Sequence, residues 1–475
     1  MDRKKALERL NQATKSDANK AALARINAVV DADSFVETAA AKCSEWGVES
    51  VATGYATVNG LPVCIYAEDF SNNGGAMNMS HARKIIALLD MAVSGGMPVV
   101  IIPDSLGGEL CRGAELIEAY AMVSAKLAAL SGVVPVISMV MGKLYGLAAV
   151  LALSADIVIA RKDARLAMMS DVALGLTGVK NTEEINCKNG YVSISCEDDD
   201  ECANALRNLI TVMPSNNLSP AFEIETDDDH SRYCPELDAV AAGDGNYDPM
   251  DVIKSIADEG TVIELKADFA KNIKTYLALV GSKTVGVVAT APNANVCARC
   301  AGKAEAFVKF CDAYSIPVIT LVDTKGFVVS NEEDEKGSLM AQAKLMATYA
   351  NATTLKIALI TGVATGSAYA AFGSKALGTD MVYAWGNAVI SPLSIPAALD
   401  VFYKDELINA KNSPAMLSAL EDKYVAEYAG ADAAAACGAV DSVIIPGESR
   451  KYITYALEML EAKRVASISR KHSSL

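Results

Sequence analysis

Apolar residues recur along this chain in two patterns that together predict an α/β protein. Short runs rich in Val and Ile, such as PVVII from Pro98 and PVITL from Pro317, are typical of buried strands. Stretches such as HARKIIALLDMAVSGG from His81 place apolar side chains at helical spacing and stop at glycines, which predicts a helix. Alternation of the two patterns predicts mostly parallel sheets covered by helices.

The same order of elements occurs twice. In the first half, MPVVIIPDSLGG is followed by VPVISMVMGKLYGLAAVLALSADIVIA; in the second, IPVITLVDTKGF is followed by LKIALITGVATGSAYAAFGSKALGTDMVYAWGNAVIS. Equivalent positions lie about 220 residues apart. The matched pairs are Lys84 and Lys303, Pro98 and Pro317, Asp104 and Asp323, Gly142 and Gly362, and Gly146 and Gly366. The repeat predicts two tandem copies of one domain, each ordered strand, helix, strand, helix, strand, glycine turn, helix, strand.

The boundaries of the two copies follow from composition. We expect the first domain at residues 1–220 and the second at 250–475. Between them, residues 221–249 are rich in Asp, Gly and Pro, which favours a solvated acidic connector. The alternative for its acidic run, Asp227 to Asp229, is a metal-chelating role. The late segment KYITYALEMLEAKR has helical periodicity and is expected to pack across the second copy.

Charge and hydropathy exclude several classes of protein. The 475 residues are 52% hydrophobic and 21% charged, and their net charge of −16 argues against nucleic acid or an anionic membrane as the main partner. The apolar stretch at 131–160 contains Pro135, Gly142 and Lys143, so we expect a strand, a glycine turn and a helix there rather than a membrane span.

The N-terminal segment of the chain indicates a cytoplasmic protein. The N-terminus, MDRKKALERLNQATK, is charged and lacks the apolar core of a secretory signal. The eleven cysteines are therefore expected to be reduced thiols. Cys297 and Cys300 form a C-x-x-C without a second pair at zinc-ribbon spacing, so buried small residues are favoured there over zinc or redox chemistry.

Candidate chemistry lies in the two glycine turns, KLYGLAAVLALSAD and VATGSAYAAFGSK. In each, a buried strand runs into a helix whose first N–H groups lack partners, and small residues allow a ligand carbonyl to approach the backbone. Close packing is the alternative explanation, but two equivalent turns favour a pair of oxyanion sites. Only three histidines occur, and neither a G-x-S-x-G elbow nor a Walker A loop is present, which disfavours a histidine-based triad.

Several segments, in order and spacing, resemble the carboxyltransferase subunits of biotin-dependent acyl-CoA carboxylases and decarboxylases. In the first half these are ARINAVVDADSFVE, EDFSNNGG and VMPSNN. In the second half they are DVIKSIADEGTVIELKADFAKNIKTYLALV, CAGKAEAFVKFCDAYSIPVITLVDTKGF and TGSAYAAFGSKALGTDMVYAWGNAVIS. The resemblance covers almost the whole chain and implies two tandem crotonase-like domains of the spiral ββα type.

The resemblance also implies a mechanism and its residues. Acyl-CoA would lie against the first domain, and carboxybiotin on a separate carrier would enter from the side of the second domain of another subunit. By position, the amides of Gly146 and Leu147 would polarise the acyl thioester, and those of Ser367 and Ala368 would stabilise the biotin ureido oxygen. The positions implied around the bound groups are Gly142, Tyr145, Gly366, Tyr369 and Ala370. No metal is implied.

The partners implied are a biotinyl carrier and a biotin carboxylase or membrane decarboxylase subunit, with the chain as a homodimer or larger oligomer. The chain has no attachment lysine of its own, because Asn78 stands where an Ala-Met-Lys-Met motif would carry lysine. Acetyl-, propionyl-, malonyl-, methylmalonyl- and glutaconyl-CoA all remain open as substrates, as does the direction of transfer. Ala370 is small and favours none of them.

Some residues depart from the family pattern and keep two alternatives open. Leu147 and Ser367 stand where glycine is usual, and residues 164–180 and 183–194 lack the family's G-P loop and its histidine. SPLSIPAALDVF likewise replaces a loop containing Met-Gly. One alternative is a crotonase-type CoA hydratase or hydrolase with Glu109 as its carboxylate; the other is a non-catalytic structural subunit of a biotin complex.

Overall fold

The computed structural model describes residues 19–40, 43–44, 47–169, 187–219, 226, 228–410 and 414–465, together with residue 4. The chain separates into two compact units, Met1–Ala221 and Phe222–Leu475.

The first unit is built on a seven-stranded sheet. Its strands are β1 (Val36–Thr38), β4 (Val51–Val58), β5 (Leu61–Glu68), β6 (Val99–Ile102), β7 (Val136–Val140), β9 (Ile157–Arg161) and β11 (Ile194–Cys196), in that spatial order. The pairs β8 (Lys143–Tyr145) with β10 (Arg165–Ala167), and β2 (Cys43–Ser44) with β3 (Gly47–Val48), form two small sheets. The helices are α1 (Lys20–Val29), α2 (Met79–Gly95), α3 (Ala114–Leu130), α4 (Leu147–Leu153) and α5 (Asp199–Val212).

Strand composition explains this topology. Every residue of β6 and β7 is buried, and the strands from β5 to β11 pair in parallel, as expected for apolar runs with helices on their faces. Apolar residues of α2 and α3, including Leu88, Leu89 and Val123, pack with those strands in one core. The helix α2 begins where the Asn78 side chain caps the His81 amide and ends at Gly96, whose φ of 61° few other residues adopt.

The second unit repeats this plan. Its main strands run in the order β12 (Ile263–Leu265), β13 (Ile273–Val280), β14 (Lys283–Thr290), β15 (Val318–Thr324), β16 (Lys356–Thr365), β17 (Met381–Trp385) and β19 (Ser442–Ile444), and β18 (Val389–Ser391) pairs with the end of β16. The first helices are α6 (Pro235–Ala241), α7 (Pro249–Ile256), α8 (Ala298–Ala313), α9 (Asn331–Glu335), α10 (Ser338–Asn351) and α11 (Gly366–Gly373). They are followed by α12 (Ile395–Phe402), α13 (Lys404–Ala410), α14 (Pro414–Tyr424), α15 (Ala431–Ala436) and α16 (Ser449–Met459).

The two units share strand order and pairing, which confirms the predicted α/β class and the repeated order of elements. In each, two antiparallel pairs at one edge lead into a parallel run. Even single bridges correspond, since Met77 pairs with Gly108 and Val296 with Phe327. The matched lysines also agree: Lys84 Nζ donates to the Val51 carbonyl at 2.8 Å, and Lys303 Nζ donates to three carbonyls at 2.8–2.9 Å.

Residues 228–249, which composition assigned to the connector, take part in the second unit. They contain α6, and Cys234 and Leu237 are fully buried in the core of that unit. Asp228 is held by Arg232 at 2.8 Å, and Asp229 accepts hydrogen bonds from Ser231; Asp227 lies outside the described residues. The acidic run therefore has protein partners at two of its three positions.

Two further expectations are confirmed. The apolar stretch at 131–160 forms β7, the glycine turn, α4 and β9, as predicted. Separately, no helix in the described ranges is both long and apolar enough to span a membrane. The late helix is α16, whose Ile453, Ala456 and Leu457 join the core of the second unit.

Candidate functional site

The first glycine turn links β8, a strand of the small sheet that it forms with β10, to a short helix. Gly146 adopts φ 60° and ψ −131°, a region open almost only to glycine, and α4 follows at once. The Gly146 N–H, expected from the sequence to face a ligand, donates instead to the Ala167 carbonyl at 2.9 Å. Gly146 therefore shapes the turn, and the ligand-facing donors must come from the residues after it.

Open donors begin at Leu147. Its side chain is 45% exposed, and the first intrahelical bond runs from the Val150 N–H to the Gly146 carbonyl at 3.2 Å. Among the residues the structure describes, none accepts a hydrogen bond from the amides of Leu147, Ala148 or Ala149. Such N–H groups can stabilise an anionic oxygen.

A buried carboxylate fixes the strand that leads into this turn. Asp104 Oδ1 accepts from the Lys143 N–H at 3.2 Å, and its Oδ2 forms an ion pair with Arg25 at 2.6 Å. A Cβ atom added at Gly142 would lie 2.2 Å from Asp104 Oδ1. The absence of a side chain at Gly142 thus makes room for this carboxylate, whereas the sequence had assigned Gly142 to ligand binding. Tyr145, the last residue of β8, is 5% exposed.

The second turn has the same construction. β16 ends at Thr365, and α11 begins at Gly366, which adopts φ 57°. A Cβ atom at Gly366 would lie 3.1 Å from the Pro392 carbonyl oxygen. The Ser367 hydroxyl donates to Gln342 Oε1 at 3.0 Å. The amides of Ser367 and Ala368 have no acceptor in the described part of the chain, so they match the donors of the first turn.

Residues around the second turn differ in exposure. Ala368 is fully buried, Ser367 is exposed, and Tyr369 and Ala370 are half-buried. The Tyr369 hydroxyl donates to the Ala439 carbonyl at 3.4 Å. The exposed face of this turn is therefore formed by Ser367 and its neighbours Tyr369 and Ala370.

Asp323 is the counterpart of Asp104 but has a different partner. Its Oδ1 accepts from the Val363 N–H at 3.0 Å, and a Cβ atom at Gly362 would lie 2.4 Å from Oδ2. Where Asp104 has Arg25, Asp323 has the Tyr247 hydroxyl at 3.0 Å. Burial raises the pKa of the Asp323 carboxyl, opposed by its bonds from Val363 and Tyr247.

Asp104 and Asp323 occupy matched positions in the sequence repeat, but no motif in the sequence indicated a role for them. Their position at the end of a buried strand in both copies, opposite paired glycines, was the available signal. Arg25 and Tyr247 lie far away in sequence and carried no such signal. They reach the carboxylates only through the tertiary fold.

Glu109, the carboxylate of the hydratase alternative, is fully engaged. Its Oε1 accepts from Asn73 at 3.1 Å and from Asn78 at 3.0 Å, and its Oε2 pairs with Arg112 at 3.0 Å. A general base needs an oxygen within reach of the substrate proton. This arrangement favours a structural role for Glu109.

Within the described ranges, no group of three or more His, Cys, Asp or Glu side chains is arranged to hold a metal ion. The departures at residues 170–186 lie outside the described residues. Within the described residues, the candidate site consists of the two predicted turns with their unpaired amides, and of the two aspartates that the structure adds.

Two copies of one unit, each with a glycine turn whose first helical amides lack an acceptor among the described residues, match the arrangement implied by the resemblance to crotonase-type carboxyltransferases. The chain matches the carboxyl transferase domain over residues 14–475, and it belongs to that family. Membership confirms the resemblance noted from the sequence and the predicted enzyme class.

Relatives of this chain cover nearly its full length. It is 34% identical to methylmalonyl-CoA decarboxylase subunit alpha of Propionigenium modestum, over 94% of this chain and 90% of the relative. It is 32% identical to the propionyl-CoA carboxylase beta chain of Cereibacter sphaeroides, over 95% and 92%. The structure superposes on transcarboxylase 12S with a TM-score of 0.87 and 30% identity, covering 95% of this chain and 92% of that one; methylmalonyl-CoA is bound in that structure, which forms a hexamer.

Proposed function

We propose that this chain moves a carboxyl group between biotin on a separate carrier and the α-carbon of a short acyl-CoA. The observation that carries the proposal is the pair of equivalent turns, one in each unit, whose amides lack acceptors among the described residues. A reaction in which negative charge develops on two carbonyl-type oxygens, one on each reactant, needs two such sites. Family membership over residues 14–475 supports the same chemistry.

The first turn is assigned to the acyl-CoA. The Leu147 amide, with those of Ala148 and Ala149 behind it, would donate to the thioester oxygen as negative charge develops there. Gly146 contributes by its positive φ and not by its own N–H, which is bonded to Ala167. Gly142 and Tyr145 would support the turn from the strand side, where Asp104 holds the Lys143 amide.

The second turn is assigned to biotin. The donor set suits a ureido oxygen, because the Ser367 and Ala368 amides are open and the Ser367 side chain is turned toward Gln342. When bound, biotin supplies the ureido group that takes up or releases the carboxyl group. Tyr369 and Ala370, half-buried beside Ser367, would line its approach. Removing one donor of this kind typically costs about 10²–10³ in rate.

The domains and partners follow from these assignments. We assign the first unit, Met1–Ala221, to the acyl-CoA side and the second, Phe222–Leu475, to the biotin side. A biotinyl carrier protein would deliver biotin, and a biotin carboxylase or a membrane decarboxylase subunit would complete the reaction cycle. The hexamer described for transcarboxylase 12S supports a homodimer or larger assembly. We place the protein in the cytoplasm.

The experiment incubates the purified chain with free biotin, or a biotinylated carrier, and separately with malonyl-, methylmalonyl- and glutaconyl-CoA. Mass spectrometry follows each CoA ester. Loss of the carboxyl group that requires biotin establishes carboxyl transfer and identifies the acyl group. Biotin-independent formation of free CoA would contradict the proposal and favour a hydrolase. If no ester changes even with the carrier, the structural-subunit alternative is favoured instead.

A further inference from the structure

The two units differ in the residue that starts an equivalent helix. In the first unit, Asn78 caps α2, and its Oδ1 accepts the His81 N–H at 2.9 Å. In the second unit, Cys297 caps α8, and its Sγ accepts the Cys300 N–H at 3.3 Å. Asparagine is among the preferred residues at this position, whereas cysteine is not. The second copy therefore replaces both the cap and the residue three positions later with thiols.

The two sulfur atoms are close enough to react. Cys297 Sγ lies 2.9 Å from Cys300 Sγ. A disulfide requires about 2.05 Å between sulfurs, so a shift of roughly 1 Å would join them. Cys300 is 1% exposed and Cys297 is half-buried, so of the two residues Cys297 is the more accessible to an incoming molecule.

The surroundings give the two thiols different reactivity. The hydrogen bond between the sulfurs, with help from backbone N–H groups at the start of α8, lowers the pKa of Cys297 to about 6. The same hydrogen bond together with burial raises the pKa of Cys300. The charged groups facing the pair are Glu333, which accepts the Ala298 N–H at 2.9 Å, and Lys303, whose Nζ is held by three carbonyls. A partly accessible thiolate beside a buried thiol is the usual arrangement of an attacking and a resolving cysteine.

We propose that Cys297 and Cys300 form a thiol–disulfide exchange site that takes a low-molecular-weight disulfide as its oxidant. The Cys297 thiolate attacks one sulfur of that disulfide, which forms a mixed disulfide and expels one small thiolate. Cys300 then gives up its proton and attacks the Cys297 sulfur, which forms the Cys297–Cys300 bond and expels the second small thiolate. The two protein thiols are oxidised by two electrons, and the small disulfide is reduced to two thiols.

The test uses the full-length chain in buffers of oxidised and reduced glutathione, followed by alkylation of free thiols, trypsin and mass spectrometry. Cleavage after Arg299 separates the cysteines, so the disulfide appears as peptide 284–299 linked to peptide 300–303. We expect the linked pair to form in the parent protein. In Cys300→Ala, glutathione should remain attached to Cys297, because the resolving thiol is gone.

Cys297→Asn is the matched control, because it restores the cap that the first unit has at Asn78. This variant should fold with an unchanged melting temperature and lose the linked pair completely. The proposal is overturned if the parent protein shows glutathione on the exposed Cys111 and Cys437 but no linked pair. It is also overturned if Cys297 stays unmodified in Cys300→Ala. These readouts are covalent, so they do not depend on carboxyltransferase activity.

Discussion

Replacing Leu147 with proline removes one N–H from the first turn without removing a hydrogen bond from the protein. Leu147 is the first residue of α4, and no described residue accepts its N–H. Proline is well tolerated at the first position of a helix, where its fixed φ suits the backbone and the missing N–H is unpaired anyway. The Gly146 carbonyl remains free to accept from Val150.

We expect Leu147→Pro to lower the reaction rate strongly and the free energy of unfolding only slightly. One donor to an oxyanion is worth about 10²–10³ in kcat, or about 2.7–4 kcal/mol of transition-state stabilisation. The Leu147 side chain is 45% exposed, so its removal costs only part of the roughly 1.5–3 kcal/mol that a fully buried leucine contributes. Leu147→Ala loses the same side-chain contacts but keeps the amide. The difference between the two variants therefore isolates the N–H.

The assay compares the rate of biotin-dependent carboxyl loss in the parent, Leu147→Ala and Leu147→Pro, with melting temperatures measured in parallel. We expect Leu147→Ala to stay within about threefold of the parent, and Leu147→Pro to fall at least about 100-fold while still folded. Equal activity of the two variants would refute the assignment of this amide as an oxyanion donor.

Three further changes test other parts of the site. Ser367→Pro should lower carboxyl transfer at least about 100-fold while Ser367→Ala does not, in the same assay, because only proline removes the amide. Asp323→Asn should become more stable relative to the parent as pH rises, as measured by urea unfolding at about pH 4 and pH 8. Burial raises the pKa of the folded Asp323 carboxyl above its unfolded value. The parent therefore loses stability as pH rises through the folded pKa, whereas the variant has no carboxyl to titrate. Gly142→Ala should lower the free energy of unfolding by about 1–3 kcal/mol, because its Cβ would overlap the Asp104 carboxylate.

Each of these has an outcome that would contradict it. An equal loss of carboxyl transfer in Ser367→Pro and Ser367→Ala would show that the hydroxyl contact with Gln342, and not the amide, is required. A constant stability difference between pH 4 and pH 8 would show that Asp323 has an ordinary pKa. For Gly142→Ala the control is Gly302→Ala, where an added Cβ meets nothing within 4 Å. Similar effects of the two glycine changes would exclude crowding by Asp104.

Much of the fold could be predicted from the sequence because its signals are local. The Val- and Ile-rich runs at Pro98 and Pro317 form the central parallel strands, and the helix after His81 ends at the glycines that predicted its end. Because the order of elements occurs twice, two separate stretches of sequence predict each element. Positions that matched across the halves, such as Lys84 and Lys303, occupy equivalent places on the helices α2 and α8.

The details of the site depend on contacts that local patterns do not encode. The sequence placed Gly146 among the donors, but the pairing of β8 with β10 takes up its N–H. Partners distant in sequence distinguish the two buried aspartates, since Asp104 forms an ion pair with Arg25 whereas Asp323 accepts a hydrogen bond from the Tyr247 hydroxyl. The composition of residues 228–249 likewise predicted a connector, although Cys234 and Leu237 are buried in the core of the second unit.

Transfer of the carboxyl group itself is the most direct test of the proposed function. Methylmalonyl-CoA carrying ¹³C in its free carboxyl group would be incubated with the chain and biotin, and the products quenched at alkaline pH for mass spectrometry. We predict ¹³C on biotin in an amount matching the propionyl-CoA formed, and its loss in Leu147→Pro and Ser367→Pro. Consumption of the ester with no label on biotin would contradict the account.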